Sequence, residues 1–203
     1  MGKDLDALAL KYGTDKGTKP SGRLTPKGYT RVYEPLLAPI RNTPITLLEI
    51  GVQFGASLKM WEDYFPNARI FGIDIKEKCR QYATDRTTVL IGDQTDRAFL
   101  RTVVEETGRL DVVIDDGGHR MEQHRISLEE LFPHVKRGGF YSIEDLQTAY
   151  RSDYGGGYLT ESSTIEMLKG VIDGLNGSPE ADRVVDGVSR LMFSQRMAIL
   201  FRE

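Results

Sequence analysis

Five short apolar, β-rich runs, at 46–52, 69–75, 87–94, 111–115 and 139–146, constrain this chain more than any other feature. Parallel strands cannot be joined by tight turns; each needs a crossover of about a dozen residues or more, usually a helix. Helix-type stretches occupy the gaps: one through Leu58, Met60, Trp61 and Tyr64, one over 96–107 with Asp96 as its N-cap, and one over 122–132 ended by Pro133 and Gly138-Gly139. Strands and helices alternating at this spacing predict an α/β, doubly wound parallel sheet. The tail differs. Runs at 188–193 and 197–201, joined by Ser194-Gln195-Arg196, read as an antiparallel terminal hairpin that brings the sheet to seven strands.

The strand ends carry the chemistry. The fourth run, Asp111-Val112-Val113-Ile114-Asp115, passes straight into Asp116-Gly117-Gly118-His119. The fifth, Phe140-Tyr141-Ser142-Ile143, passes into Glu144-Asp145. Open α/β sheets place ligands in the crevice beyond the carboxyl ends of their strands. A lone Asp-Asp-Gly-Gly is often only a turn. Two adjacent strands ending this way would gather up to four carboxylates and one histidine on a single rim.

The first strand ends in Glu49-x-Gly51-x-x-x-Gly55. A dinucleotide fingerprint needs Gly-x-Gly-x-x-Gly, whose second glycine lets a pyrophosphate approach the backbone. Gln53 stands there, and Ala56 replaces the third glycine, so a dinucleotide oxidoreductase is disfavoured. Gly51 and Gly55 still allow a tight turn and close approach of a nucleoside-like ligand. Asp74 is placed to accept from ribose hydroxyls, and Asp93, with Gln94 beside it, from an adenine amino group.

The N-terminal segment is subordinate. Residues 4–12 form an amphipathic helix with Leu5, Leu8 and Ala9 on one face, and 29–40 a second helix interrupted or ended by Pro35 and Pro39. Between them, residues 13–22 make a glycine-rich polar loop whose composition reads as a linker, with a lid over a ligand as the other reading. Residues 1–44 are treated as a helical extension or lid on a main domain at 45–203. His124 is placed at the surface or core edge, His134 beyond the end of its helix, and Glu129 and Glu130 on a solvated face. The loop 150–158, with its tyrosines and Gly155-Gly156-Gly157, lies where it could touch an acceptor.

Composition narrows the partners. Net charge is -3 with no basic block, which argues against nucleic acid. No apolar run reaches the length of a membrane span. The single cysteine, Cys79, allows no internal disulfide and no cysteine zinc site. These features point to a cytoplasmic protein.

Together, Glu49, Gly51, Gly55, Asp74 and Asp93 at successive strand ends resemble the S-adenosylmethionine (SAM) site of the Rossmann-like class I methyltransferases. The resemblance covers about residues 45–203 and implies that Ser57, Gln94 and Asp115 also serve the cofactor. Asp115-Asp116-Gly117-Gly118-His119 and Ile143-Glu144-Asp145 narrow it to the metal-dependent sugar O-methyltransferases of antibiotic biosynthesis, of mycinamicin and macrocin type. Lys11-Tyr12-Gly13-Thr14-Asp15-Lys16 and Tyr29-Thr30-Arg31-Val32-Tyr33-Glu34 resemble the same group and favour the lid reading of the first loop. The resemblance implies Mg2+ (or Mn2+) on Asp116, Glu144 and Asp145, His119 as general base, a sugar or glycoside as acceptor, and a homo-oligomer. Gly118 stands where the group more often has Ser. The alternatives are a SAM-dependent methyltransferase of another small molecule, including the catechol type, and a non-catalytic SAM-binding relative. Amino-group methyltransferases resemble one another in an Asn/Asp-Pro-Pro-aromatic run after the fourth strand, where this chain has Asp-Gly-Gly-His.

Overall fold

Alternation of side chains along the strands fixes the layering. The computed structural model describes residues 4–22, 24–181 and 184–203. Its strands are β1 (Thr46–Ile50), β2 (Arg69–Asp74), β3 (Thr87–Ile91), β4 (Leu110–Asp115), β5 (Val135–Ile143), β6 (Val188–Ser194) and β7 (Met197–Arg202). They form one sheet in the order β3-β2-β1-β4-β5-β7-β6. The first five are parallel, and β7 runs antiparallel between β5 and β6. The doubly wound sheet with a terminal hairpin is therefore the fold observed.

Successive strand residues point to opposite faces. Leu47, Val112, Ile114 and Phe140 face one core layer, with α1 (Leu5–Tyr12), α2 (Thr30–Leu37) and α3 (Ala56–Tyr64). Leu48, Val113, Tyr141 and Ile143 face the other, with α4 (Arg97–Thr107), α5 (Met121–Leu131) and α6 (Thr164–Leu175). Trp61 lies at the centre of the first layer, fully buried, with its ring edge-on to Tyr33 at 5.7 Å. Such a pair is worth about 0.5–1.5 kcal/mol beyond its area. This contact ties α2, from the N-terminal segment, into the main core.

Caps set the helix ends where the sequence indicates. Asp96 accepts from the N–H groups of Ala98 and Phe99 at the start of α4. Gly13, at φ 79, closes α1 with its N–H on the Ala9 carbonyl. Three features depart from the sequence expectation. Pro35 sits inside α2 and does not end it, because it removes only one backbone donor from a short helix. Strand β5 begins at Val135 and not at Gly139: its first residues pair beside a register shift between Leu110 and Val112, and Lys136 and Arg137 interrupt the apolar pattern. Helix α6 had no counterpart in the sequence reading, since Gly170 and Gly174 weaken its signal; Ser163 caps it by accepting from Glu166 N–H.

The strand order reverses between β1 and β4. The chain leaves β1 toward β2 on one side and returns to β4 on the other, which opens a crevice beyond their carboxyl ends.

His124, expected near the surface, is fully buried where α5 meets α6, with Nδ1 2.9 Å from Thr164 Oγ1. Burial holds its imidazole down to about 3, against an ordinary value of about 6.5. The unfolded chain therefore takes up a proton below about pH 6.5 that the folded chain refuses, and stability falls as pH drops through that window. The slope approaches about 1.4 kcal/mol per pH unit. Replacing His124→Gln is expected to flatten it. Urea unfolding at several pH values between neutrality and mild acid checks this, and equal slopes for variant and parent would exclude it.

Candidate active site

A cavity of about 350 Å³ fills the crevice. Its lining includes Gly51, Gln53, Ser57, Asp74, Asp93, Gln94, Asp116 and His119 from the strand ends, and Thr14, Asp15 and Lys27 from the loop between α1 and α2. Gly51 makes the approach of β1 to β4 possible. It adopts φ +94, and a Cβ there would lie 2.2 Å from the Asp116 carbonyl oxygen.

Two carboxylates at the ends of β2 and β3 organise the loops around them. Asp74 Oδ2 accepts from Val52 and Gln53 N–H at 3.0 and 2.9 Å, and Oδ1 from Lys76 N–H at 2.9 Å. Burial pushes this carboxyl up, but the backbone donors outweigh it and hold it below its ordinary value. Asp93 Oδ1 accepts from Thr95 N–H and Oγ1. Gln94 spans the floor: its Nε2 reaches Asp115 Oδ1 and Ser127 Oγ, and its Oε1 accepts from Gly118 N–H at 3.0 Å.

Three of the residues read as cofactor-binding are not among those lining the cavity. Glu49, in β1, is fully buried and accepts from Ser57 Oγ at 2.7 Å. Asp115 is fully buried on the opposite sheet face, where Tyr141 donates to it at 2.8 Å and burial pushes its carboxyl up to about 7. Gly55, at φ +69, packs against the Tyr82 side chain. All three shape the wall from behind.

At the other end of the cavity lies the acid rim. Asp116, His119 and Asp145 each offer a ligand atom within 4.8 Å of the others. His119 Nε2 stands 3.8 Å from Asp116 Oδ1 and 3.6 Å from Asp145 Oδ2. Both distances exceed a hydrogen bond. Its Nδ1 is buried with no partner. Burial lowers the imidazole pKa, against the pull of the two carboxylates, so the ring is neutral at neutral pH and free to accept a proton. Glu144 lies deeper than the other three. Its Oε1 accepts from Tyr33 OH at 2.7 Å and its Oε2 from Lys16 Nζ at 2.7 Å.

Lys16 and Lys27 are the residues that sequence reasoning missed. Lys16 Nζ, fully buried, also donates to Asp116 Oδ2 at 2.7 Å and lies 3.3 Å from Glu49 Oε1. Burial alone would discharge it, but Asp116, Glu144 and Glu49 hold its pKa well above the ordinary value. Lys27 Nζ donates to Asp145 Oδ2 at 2.6 Å, and Tyr29 OH donates to Asp145 Oδ1 at 2.6 Å. Both lysines lie in a polar loop without periodicity. The Lys11–Lys16 and Tyr29–Glu34 stretches were singled out by resemblance, but nothing in their order assigns these side chains to the rim.

The rim therefore suits a cation. Its donors are carboxylate oxygens with one imidazole, and an ammonium already bridges Asp116 to Glu144 at contact distance. Oxygen donors of this kind favour hard divalent ions such as Mg2+ or Mn2+. Backbone strain concentrates here as well. Among the described residues, five non-glycine residues have positive φ, and three of them are Gln53, His119 and Asp145.

No family model matches the chain. Over 183 residues it is 40% identical to the 8-demethyl-8-(2-methoxy-alpha-L-rhamnosyl)-tetracenomycin-C 3'-O-methyltransferase of Streptomyces olivaceus, a match that takes in 85% of this chain and 45% of the relative. It is 39% identical over 200 residues to the L-olivosyl-oleandolide 3-O-methyltransferase of Streptomyces antibioticus, covering 92% of this chain and 50% of that one. Against the mycinamicin VI 2''-O-methyltransferase of Micromonospora griseorubida it is 36% identical over 182 residues, which is 85% of this chain and 44% of the relative. The chain thus spans about half the length of the curated relatives it matches. Among solved structures, the MycE methyltransferase of the mycinamycin biosynthetic pathway, in complex with Mg, SAH and mycinamycin VI, superposes with a TM-score of 0.87. That match is at 32% identity and covers 99% of this chain and 55% of that one.

The approach of β1 to β4 gives a direct test of how tightly the crevice is built. Gly138 also has positive φ, +81, but a Cβ there would meet nothing within 4 Å. Gly138→Ala should cost only the left-handed backbone penalty, about 1–2 kcal/mol. Gly51→Ala adds the overlap with Asp116 and should cost clearly more. Guanidinium unfolding of the two variants side by side measures the difference; equal losses would mean that the strand ends separate easily.

Proposed function

The chain has the class I SAM-dependent methyltransferase fold and is a homologue of the sugar O-methyltransferases of antibiotic biosynthesis; from that premise we propose that it methylates a hydroxyl of a sugar or glycosylated natural product. The observation that carries this reading is the position of His119. A neutral imidazole, with Nε2 free of hydrogen bonds, faces two carboxylates at one end of a nucleoside-sized cavity.

In this reading Gly51, Ser57, Asp74, Asp93 and Gln94 line the cofactor end of the cavity. Glu49, Gly55 and Asp115 support that end from behind. Asp116, Glu144 and Asp145 hold Mg2+ or Mn2+. When bound, the divalent ion supplies a Lewis acid and a template for the acceptor. Methyl transfer exchanges a sulfonium C–S bond for a C–O bond, and the hydroxyl proton must leave. His119 Nε2 receives it. Asp116 and Asp145, too far to bond the ring directly, stabilise the imidazolium that forms. The cavity walls align donor and acceptor, which removes much of the entropic part of the barrier. The loop between α1 and α2 contributes Thr14, Asp15 and Lys27 to the cavity wall, and in this reading residues 1–44 act as a lid as well as a packing layer; the segment 150–158 is not among the lining residues. The reading includes a homo-oligomeric protein working in the cytoplasm. Among the described residues no helix is long and apolar enough to cross a membrane.

The test separates binding from chemistry. His119→Asn should leave S-adenosylhomocysteine affinity within a factor of about two of the parent. It should lower the rate of methyl transfer to glycoside acceptors by about 10²–10⁴, the range of a lost general base. Calorimetry gives the first quantity and a labelled-methyl assay the second. Transfer at the parental rate would remove His119 from the mechanism.

A further inference from the structure

Lys16 has no part in the chemistry just described, yet it is the most deeply placed cation of the rim. Its side chain is 1% exposed. A buried ammonium is tolerated only when carboxylates surround it, and here Asp116 and Glu144 lie at 2.7 Å with Glu49 at 3.3 Å. The residue belongs to the loop after α1, whose backbone is tied locally: Thr30 N–H donates to the Lys16 carbonyl at 3.0 Å, and Gly28 N–H to the Gly17 carbonyl at 2.9 Å. The same loop sends Lys27 to Asp145 at 2.6 Å. Asp116, Glu144 and Asp145, the three carboxylates read as the divalent-ion ligands, thus each hold an ammonium from one loop.

An ammonium and a divalent ion on the same two carboxylates would repel each other at short range. An ion held by Asp116 and Glu144 would compete with Lys16 Nζ, which already contacts both carboxylates at 2.7 Å. We propose that Lys16 is a tethered surrogate for the divalent ion: it fills the Asp116–Glu144 seat in the metal-free protein and docks the loop over the cavity, and metal binding expels it and loosens the loop. This rests on the metal reading given above. The consequence is a linkage. Metal binding and loop docking oppose each other by the same free energy in both directions, because coupling between two equilibria is reciprocal. The loop supplies Gly13, Thr14, Asp15, Leu24 and Lys27 to the cavity wall. Loading the ion therefore opens that wall to an acceptor, and losing it shuts the wall.

The experiment titrates Mn2+ into the full chain and follows free Mn2+ by electron paramagnetic resonance, for the parent and for Lys16→Met. Removing the competing charge should tighten Mn2+ binding by about tenfold or more, within the usual range of coupling between sites. Equal or weaker binding by the variant overturns the proposal. Hydrogen exchange on the parent protein needs no variant. Saturating Mn2+ should speed exchange of the Gly28 and Thr30 amides, whose bonds hold the loop closed; unchanged or slower exchange also overturns it. Should parent and variant bind Mn2+ equally, Lys16 is not a competitor and the metal reading stands. Should neither bind, both readings fall.

Discussion

Burying carboxylates side by side is the constraint on which this molecule depends. Glu49, Asp116, Glu144 and Asp145 come from the ends of three adjacent strands, and water cannot solvate the innermost of them. Burial lifts the Glu49 and Glu144 carboxyls above their ordinary range, and the neighbouring Lys16 ammonium opposes that lift. The sheet could not bring these strand ends together without a cation from elsewhere in the chain. The N-terminal segment supplies it, which is why α1, α2 and the loop between them are built into the core. Tyr33 shows both duties in one side chain: its ring packs on Trp61 and its hydroxyl donates to Glu144.

Much of this was legible in the order of residues. The β-rich runs and their spacing specify a parallel sheet, because no other connection fits, and the terminal hairpin follows from two runs joined by a short polar link. The acids at the strand ends were visible because a polar cluster immediately after a buried run has few structural explanations. Other parts were not legible. Lys16 and Lys27 carry no periodicity and lie 100 to 128 residues from Asp116, Glu144 and Asp145, so only the folded topology pairs them. His124 reads as an ordinary polar helix residue; its burial depends on α6, a helix whose glycines hid it. The assignments to the cofactor mix two kinds of residue. Asp74, Asp93 and Gln94 line the cavity, whereas Glu49 and Asp115 stand one layer back. A one-residue difference along a strand exchanges faces, and sequence alone does not say which of Asp115 and Asp116 turns outward.

The two ends of the cavity are held in different ways. At the end away from the rim, Asp74 ties the loop after β1 to its own through backbone N–H groups and Asp93 bonds within its own loop, so the shape there is set by the backbone. At the acid rim the partners are the Lys16 and Lys27 ammonium groups and the Tyr29 and Tyr33 hydroxyls, all from the N-terminal segment. One end is held by backbone donors and the other by side chains that reach across from the N-terminal segment.

The left-handed backbone at Gln53, His119 and Asp145 has a consequence for how such a chain would respond to selection. Each of these residues holds a conformation that glycine adopts without penalty, and the strain is of order 1–3 kcal/mol per site. Glycine at Gln53 or His119 would release that strain, whereas at Asp145 it would leave the Lys27 ammonium and the Tyr29 hydroxyl without their partner. A library screened for heat resistance alone would therefore drift toward glycine at Gln53 and His119, as at Leu159 and Arg196, and would keep Asp145. The left-handed position that such a screen spared would mark where backbone strain is offset by a partly buried ion pair.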